Sequence, residues 1–382
     1  MRALLFERKV AKYAAARVAG ALAGAGSGVR VGPLRLAEVD EPELPGPGWV
    51  RVRPRLTGIC GSDLATIDAR SSRYFEPIVS FPFVPGHEVV GELDDGTRVV
   101  VQPTLTCAAR GVDPMCDQCV AGRTNLCERI AFGHVEPGLQ TGFCEDTGGG
   151  WGLVLVAHES QLHRVPGGMS DEQAVLVEPA ACAVHAAATV RSGSIAVVGA
   201  GTLGLLTIAA LRHPEKPHGP LIATAKHAEQ RKLARELGAD LVVEPGALER
   251  AVRMHSRAFQ FGEQLTSGVD TVVDCVGSED SIAQSLRVVA PGGGVVLVGM
   301  PGVTTVDLTP LWHREVSVRG SYAYTADDFA AAFELVADLG LERLLSATYT
   351  LDRYREAVEH ASAAGRRGAV KIAFDLRNER NR

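Results

Sequence analysis

One run, Val197-Val198-Gly199-Ala200-Gly201-Thr202-Leu203-Gly204, restricts what this chain can fold into more than any other. It closes an apolar segment that reads as a strand and opens one that reads as a helix, the setting a G-x-G-x-x-G spacing requires. Gly199 permits a tight turn, Gly201 lets the backbone approach a pyrophosphate, and Gly204 lets helix and strand pack closely. The helix N-terminus at Thr202 and Leu203 offers free amides to phosphate oxygens. Alone, the motif could be a glycine-rich turn in an unrelated fold. Here strands and helices alternate behind it: LIATA, EQRKLARELGA, VDTVVDCVG, SIAQSLRVV, GGVVLVGM. Buried parallel strands read as continuous Val, Ile and Leu runs, so the fold class is α/β with a doubly wound parallel sheet. Val276 and Val298, just past two later strands, are further candidates to line a dinucleotide.

An NAD site places an acid about 20 residues past the glycines to bind the ribose hydroxyls. That position is Ala225, followed by Lys226, with His227 and Arg231 close by. The site has lost an anion and gained cations, which suits the 2'-phosphate of NADP better than NAD. The competing reading makes Lys226 and Arg231 ordinary solvated helix residues.

A chain of 382 residues exceeds what one hydrophobic core supports, and two domains are expected. Before the sheet, short apolar runs (VRVRPRL, TRVVV, LVLVAH) broken by Gly, Pro and Asp describe a loop-rich β domain. After residue 313 a helix, YREAVEHASAAG, and a strand, AVKIAFDL, rejoin it. The expected division is 1–165 with 313–382, and 166–312. GAGSG at 24–28 and GGG at 148–150 read as flexible loops. The net charge of −6 provides no attraction for nucleic acid or anionic lipid, and Arg366, Arg367 and Lys371 are too few to change that. A small-molecule partner is favoured. No apolar run is long enough to span a membrane, and the glycine-rich stretch from Ala21 to Val29 makes a poor signal-peptide core, so a cytoplasmic location is expected.

Of the eight cysteines, Cys116, Cys119 and Cys127 form a tight group that argues for metal rather than disulfides. Elsewhere lie Gly58-Ile59-Cys60-Gly61-Ser62-Asp63, Pro85-Gly86-His87-Glu88 and Val177-Glu178-Pro179. A thiolate, an imidazole and a carboxylate can hold zinc with a fourth position open, as a catalytic zinc needs. Each residue alone has a plainer explanation: a buried thiol, a satisfied histidine, a paired acid.

Taken together, GICGSD, PGHEVVG, EPAACAVHAA, VVGAGTLG, VDCVG and APGGGVVLVGMPG resemble the zinc-containing medium-chain dehydrogenase/reductase family, polyol and threonine dehydrogenase branch, over nearly the whole chain. The resemblance implies a GroES-like catalytic domain built from both ends of the chain around a Rossmann domain. It implies Cys60 and His87 as ligands of a catalytic zinc, with Glu88 or Glu178 ligating directly or through water. It implies that hydride passes between a nicotinamide and an alcohol or carbonyl carbon, that Ser62 relays the proton, and that Asp63 orients His87. The outer relay histidine of many polyol dehydrogenases is replaced here by Ala65. The family's structural zinc lobe follows C-x2-C-x2-C-x7-C; this chain keeps the last three as Cys116, Cys119 and Cys127. Cys107 is the expected first ligand, separated from Cys116 by eight residues, with Asp113 as the alternative. A homodimer or homotetramer is implied as well.

Two other readings stay open on sequence: a zinc-free NADPH enone or quinone reductase, and a non-catalytic dinucleotide-binding protein of the same fold. The stretch Gln140–Thr147 matches nothing in the family's pattern; it borders a substrate pocket or packs a loop through Cys144 and Trp151. His158, His163, His185, Cys182 and Cys275 read as structural.

Overall fold

The computed structural model describes residues 1–213, 219–300 and 302–379. They divide into two compact units. The first holds Met1–Glu178, Thr325–Phe329 and the chain from Val336 onward; the second holds Pro179–Tyr324 and Ala330–Leu335. The divides expected at 165/166 and 312/313 therefore fall later. Asp171 explains one shift, being ion-paired to Arg55 and Arg98 of the first unit. The strand Ser317–Gly320 explains the other, because it is hydrogen-bonded into the parallel sheet.

The first unit opens with β1 (Arg2–Phe6), α1 (Val10–Ala23) and β2 (Leu34–Glu38), the two strands antiparallel. Then come β3 (Trp49–Gly58), α2 (Gly61–Ile67), β4 (Val89–Glu92), β5 (Arg98–Val101), α3 (Asp117–Val120), β6 (Leu155–His158), β7 (Leu162–Arg164) and α4 (Asp171–Ala174). In β3 the alternation of VRVRPRL is realised, with Val52 and Leu56 buried and Arg51, Arg53 and Arg55 turned to the other face. β3 pairs antiparallel with β4 on one side, and its first half pairs with β6. β4 continues to β5 and β5 to β7.

Helix α1 was not foreseen in the sequence. Its alanines favour a helix intrinsically, and only Ala16 of its fourteen residues is buried. The GAGSG that follows is not a flexible loop: the amides of Gly26 and Gly28 donate to the buried Asp68 carboxylate at 2.8 and 3.0 Å. The triple glycine at 148–150 is likewise buried.

Helix α5 (Val177–Ala188) begins at the boundary between the units. The second unit then runs β8 (Ile195–Val198), α6 (Thr202–Arg212), β9 (Leu221–Thr224), α7 (Ala228–Glu236), β10 (Leu241–Val243) and α8 (Leu248–Ser256). A small hairpin, β11 (Gln260–Phe261) and β12 (Gln264–Leu265), precedes β13 (Val269–Asp274), α9 (Glu279–Val288), β14 (Val289–Leu297), α10 (Thr309–His313) and β15 (Ser317–Gly320). Six strands lie in the order β10-β9-β8-β13-β14-β15, every pairing parallel. This is the doubly wound order whose reversal beside the first strand creates a ligand crevice. Ala196, Ile222, Val272 and Val295 of the sheet pack with Leu248, Val252, Ile282 and Leu286 of α8 and α9.

Past α11 (Ala326–Leu339), the chain adds β16 (Leu345–Tyr349), α12 (Tyr354–Ser362) and β17 (Lys371–Asp375). β17 pairs antiparallel with β3 and parallel with β16, so the tail completes the first unit's sheet. No described helix is long and apolar enough to cross a membrane.

Candidate active site and metal centres

Cys60 ends β3's extension and caps α2, where its amide donates to the Asp63 carboxylate at 2.9 Å. The other Asp63 oxygen lies 3.5 Å from His87 Nδ1, both side chains being buried. Burial disfavours the charged imidazole, but Asp63, and beyond it Cys60, outweigh burial and raise the His87 pKa well above its ordinary value. One ligand-type atom each from Cys60, His87 and Glu88 lie within 4.8 Å of one another. The half-buried Cys60 sulfur converging with the buried His87 nitrogen and Glu88 carboxylate forms a donor set whose chemistry fits zinc.

Glu178, the other acid expected there, is buried at the start of α5 but does not belong to this close group. Lys371 does meet the cluster. Its buried ammonium ion-pairs with Glu88 Oε2 and donates to the Ile59 carbonyl at 3.2 Å. Burial opposes that charge, yet the carboxylate of Glu88 first, then Cys60 and more weakly Glu178, raise its pKa. Gly58 makes room for the pair, because a side chain there would collide with Glu88 Oε2 and crowd the Lys371 chain. In the sequence Lys371 enters only the charge balance of the C-terminal stretch, with Arg366 and Arg367. The signal was there in AVKIAFDL, a lysine within an otherwise apolar strand, but its partner lies far off in sequence. Ser62 sits partly exposed in the first turn of α2, while Ala65 is buried.

The second centre gathers Cys107, Cys116, Cys119 and Cys127, whose four sulfurs lie within 4.8 Å of one another. Asp113, the alternative first ligand, is not in the group. Three amides point at sulfur: Cys116 N–H to Cys107 (3.4 Å), Glu128 N–H to Cys116 (3.5 Å) and Arg129 N–H to Cys127 (3.4 Å). Burial raises the Cys119 and Cys127 thiols. At Cys116 burial is overcome by amide and thiol hydrogen bonds, and its pKa falls to about 6. Four thiols with amides aimed at them fit a closed tetrathiolate zinc site. Beneath the lobe, fully buried Arg110 donates to the carbonyls of Leu105, Val135 and Gly138, pinning the following loop.

In the second unit the glycine motif falls at the C-terminal end of β8 and opens α6. Gly199 has φ +88° and donates its amide to Thr224 Oγ1 at 2.9 Å, and a side chain there would meet Val276. A side chain at Gly204 would strike the Gly199 carbonyl, whereas Gly201 faces open space. Thr202 and Leu203, the first helical residues, are partly exposed, and Val298 ends β14's run with its amide on the Asp274 carbonyl. At the end of β9, Ala225 is buried and Lys226 exposed. Arg231 donates to the carbonyls of Ala225 and Lys226 at 3.3 and 3.1 Å and pairs with Glu244 at 3.3 Å.

The structural histidines and cysteines have ordinary partners. His158 caps a turn with Ser160 and Gln161, His163 meets Gln102 at 2.9 Å, and burial pushes the Cys275 thiol up to about 12. Cys144 and Trp151 are fully buried.

These features define a zinc-binding dehydrogenase. Family models for an alcohol dehydrogenase GroES-like domain and a zinc-binding dehydrogenase match residues 46–167 and 202–338. Sorbitol dehydrogenase of Arabidopsis thaliana is 29% identical over 348 residues, spanning 87% of this chain and 89% of that protein. A probable D-xylulose reductase A of Aspergillus clavatus is 30% identical over 313 residues, spanning 78% and 81%. A zinc-binding dehydrogenase of Sinorhizobium meliloti, solved with NADP bound, superposes with a TM-score of 0.71 at 26% identity, over 90% of this chain and 96% of that one. The chain belongs to the zinc-dependent medium-chain dehydrogenase/reductase family, and it is an NAD(P)-dependent oxidoreductase acting on CH–OH groups.

Proposed function

We propose that this enzyme interconverts a hydroxyl of a polyol or sugar-like substrate and the corresponding carbonyl, with NADP in preference to NAD. The convergence of Cys60, His87 and Glu88 within 4.8 Å carries the reading, and the sorbitol dehydrogenase and xylulose reductase relatives suggest the substrate class. Zinc held by these three residues would supply Lewis acidity toward the substrate oxygen, and the nicotinamide would accept or return the hydride. Asp63 fixes the imidazole of His87 from its Nδ1 side. Lys371 pairs with Glu88 and holds its carboxylate in place. Ser62 carries the proton outward, and with Ala65 in place of an outer relay histidine the proton leaves through water or through Glu88.

The test is a screen of alcohols, polyols and sugars by nicotinamide absorbance with both cofactors, alongside zinc analysis. Turnover on part of the panel is expected, with C60A losing both one zinc equivalent and activity. Wild-type protein lacking zinc at this site, or a C60A protein that retains turnover, would refute the reading in favour of a zinc-free reductase.

NADP preference rests on Ala225 in place of an acid and on the exposed Lys226. Glu244 argues the other way, since it occupies Arg231. K226A should weaken NADP about tenfold, the worth of one charge-assisted hydrogen bond, and leave NAD unchanged. Equal binding of both cofactors by the wild-type protein would sink the preference. A cysteine cluster suited to metal rather than to disulfides favours a reducing compartment, and we place the protein in the cytoplasm; recovery of a tagged protein from an oxidising compartment would contradict it.

A further inference from the structure

We infer that Trp151, carried by the strap of residues 141–151, is a positioning residue that keeps the three ligand-bearing segments of the catalytic metal centre in register. The inference rests on the reading that Cys60, His87 and Glu88 hold zinc.

The indole is fully buried, and its hydrogen bond and close ring contacts fall next to residues of that centre. Its Nε1–H donates to the carbonyl of Gly58, two residues before Cys60, at 3.3 Å. Its backbone amide donates to the Pro85 carbonyl at 2.9 Å, and the amide of Gly150 to the Gly86 carbonyl at 2.8 Å, immediately ahead of His87 and Glu88. The ring lies so close over Gly86 that any side chain there would strike the indole. Its edge meets Phe374, three residues after Lys371, with centroids 5.2 Å apart at 73°. One side chain thus touches the end of β3, the loop before β4, and β17.

The rest of the strap is shaped to the same end. Gly149 lies against the Val84 and Pro85 carbonyls and Gly150 against Thr57, both too tightly for any side chain. Gly142 lies against the Gly86 backbone. On the other flank Phe143 packs between Phe83, at 5.3 Å, and the ring of His87, at 5.8 Å. The run T-G-G-G-W is therefore a backbone laid close on the ligand segments, and Gly149 and Gly150 are the consequence of that approach. A tryptophan that merely filled a core would need no acceptor for its Nε1–H beside the Cys60 segment; this one has the Gly58 carbonyl there, while its main chain is bonded to the His87 segment.

Metal sites depend on outer groups that orient their ligands, and losing one typically costs ~10–100-fold in affinity. W151F keeps a ring against Phe374 but loses the indole N–H to Gly58. In a chelator titration W151F should surrender the metal of the mixed-ligand site at about tenfold lower chelator concentration than wild type, while the four-cysteine zinc stays. Replaced with Co2+, that site should show shifted visible bands, and kcat should fall with the KM for nicotinamide cofactor unchanged. F143L, a smaller cut beside His87, should move the same readouts in the same direction, and it decides the matter if W151F does not fold. A wild-type protein with two zinc equivalents whose folded variants keep wild-type chelator midpoints and cobalt spectra overturns this inference alone. A wild-type protein with only the four-cysteine zinc overturns the metal-centre reading and this inference together.

Discussion

Lys371 and Glu88 are each nearly inaccessible to solvent, and they are adjacent only because β17 lies beside β3. A buried ion pair costs desolvation on both sides, so its net contribution to stability is small, but removing one partner strands the other. K371M should therefore destabilise the zinc-free protein by about 3–5 kcal/mol in a denaturant titration. A loss below about 1 kcal/mol would mean that the carboxylate has another partner. The candidate ligands Cys60, His87 and Glu88 were legible in advance because GICGSD and PGHE are contiguous strings, and the fold brings them together. Lys371 was not, since its role depends on a neighbour across the sheet. The two glutamates could not be separated from sequence for the same reason: distance from Cys60 and His87 is a tertiary quantity, and it favours Glu88.

Among elements, the cysteine lobe shows what spacing can and cannot decide. Three cysteines in a short window announce a metal, but the first ligand lies across a loop of irregular length. The folded loop brings Cys107 Sγ to 3.7 Å from Cys127 Sγ and leaves Asp113 out. C107S should release the lobe's zinc to a chelator at least tenfold more readily, by loss of a thiolate ligand, while D113A retains it. The opposite pattern in metal analysis would reinstate Asp113. The glycine-rich segments misled for a related physical reason. Glycine marks both mobility and close backbone approach, and only the neighbours tell them apart: Asp68 for Gly26 and Gly28, the Val84 and Pro85 carbonyls for Gly149, Thr57 for Gly150. Helix α1 escaped notice because an alanine-rich segment with one buried residue carries no hydrophobic periodicity to read.

For the molecule as a whole, the outer strand of the second unit bears on assembly. All four residues of β15 are exposed, and Val303, Leu308, Trp312 and Val318 around it present apolar surface. An exposed edge strand with apolar neighbours invites pairing, and a homodimer through this edge is the expected state, alone or within a tetramer. Light scattering should show at least a dimer, and V318K with W312E should shift it toward monomer; a monomeric wild-type protein would contradict the expectation. The sequence by itself determined the architecture and the chemistry class. Continuous apolar strands, the glycine spacing and the Cys, His and Glu strings are local patterns, and local patterns survive without a fold. Only the tertiary structure shows where the units divide, brings Glu88 rather than Glu178 into the close group with Cys60 and His87, gathers Cys107 with the lobe cysteines, and sets Lys371 and Trp151 beside the candidate site. Each of these depends on residues far apart in the chain meeting across a sheet or loop, a contact that no window of sequence contains.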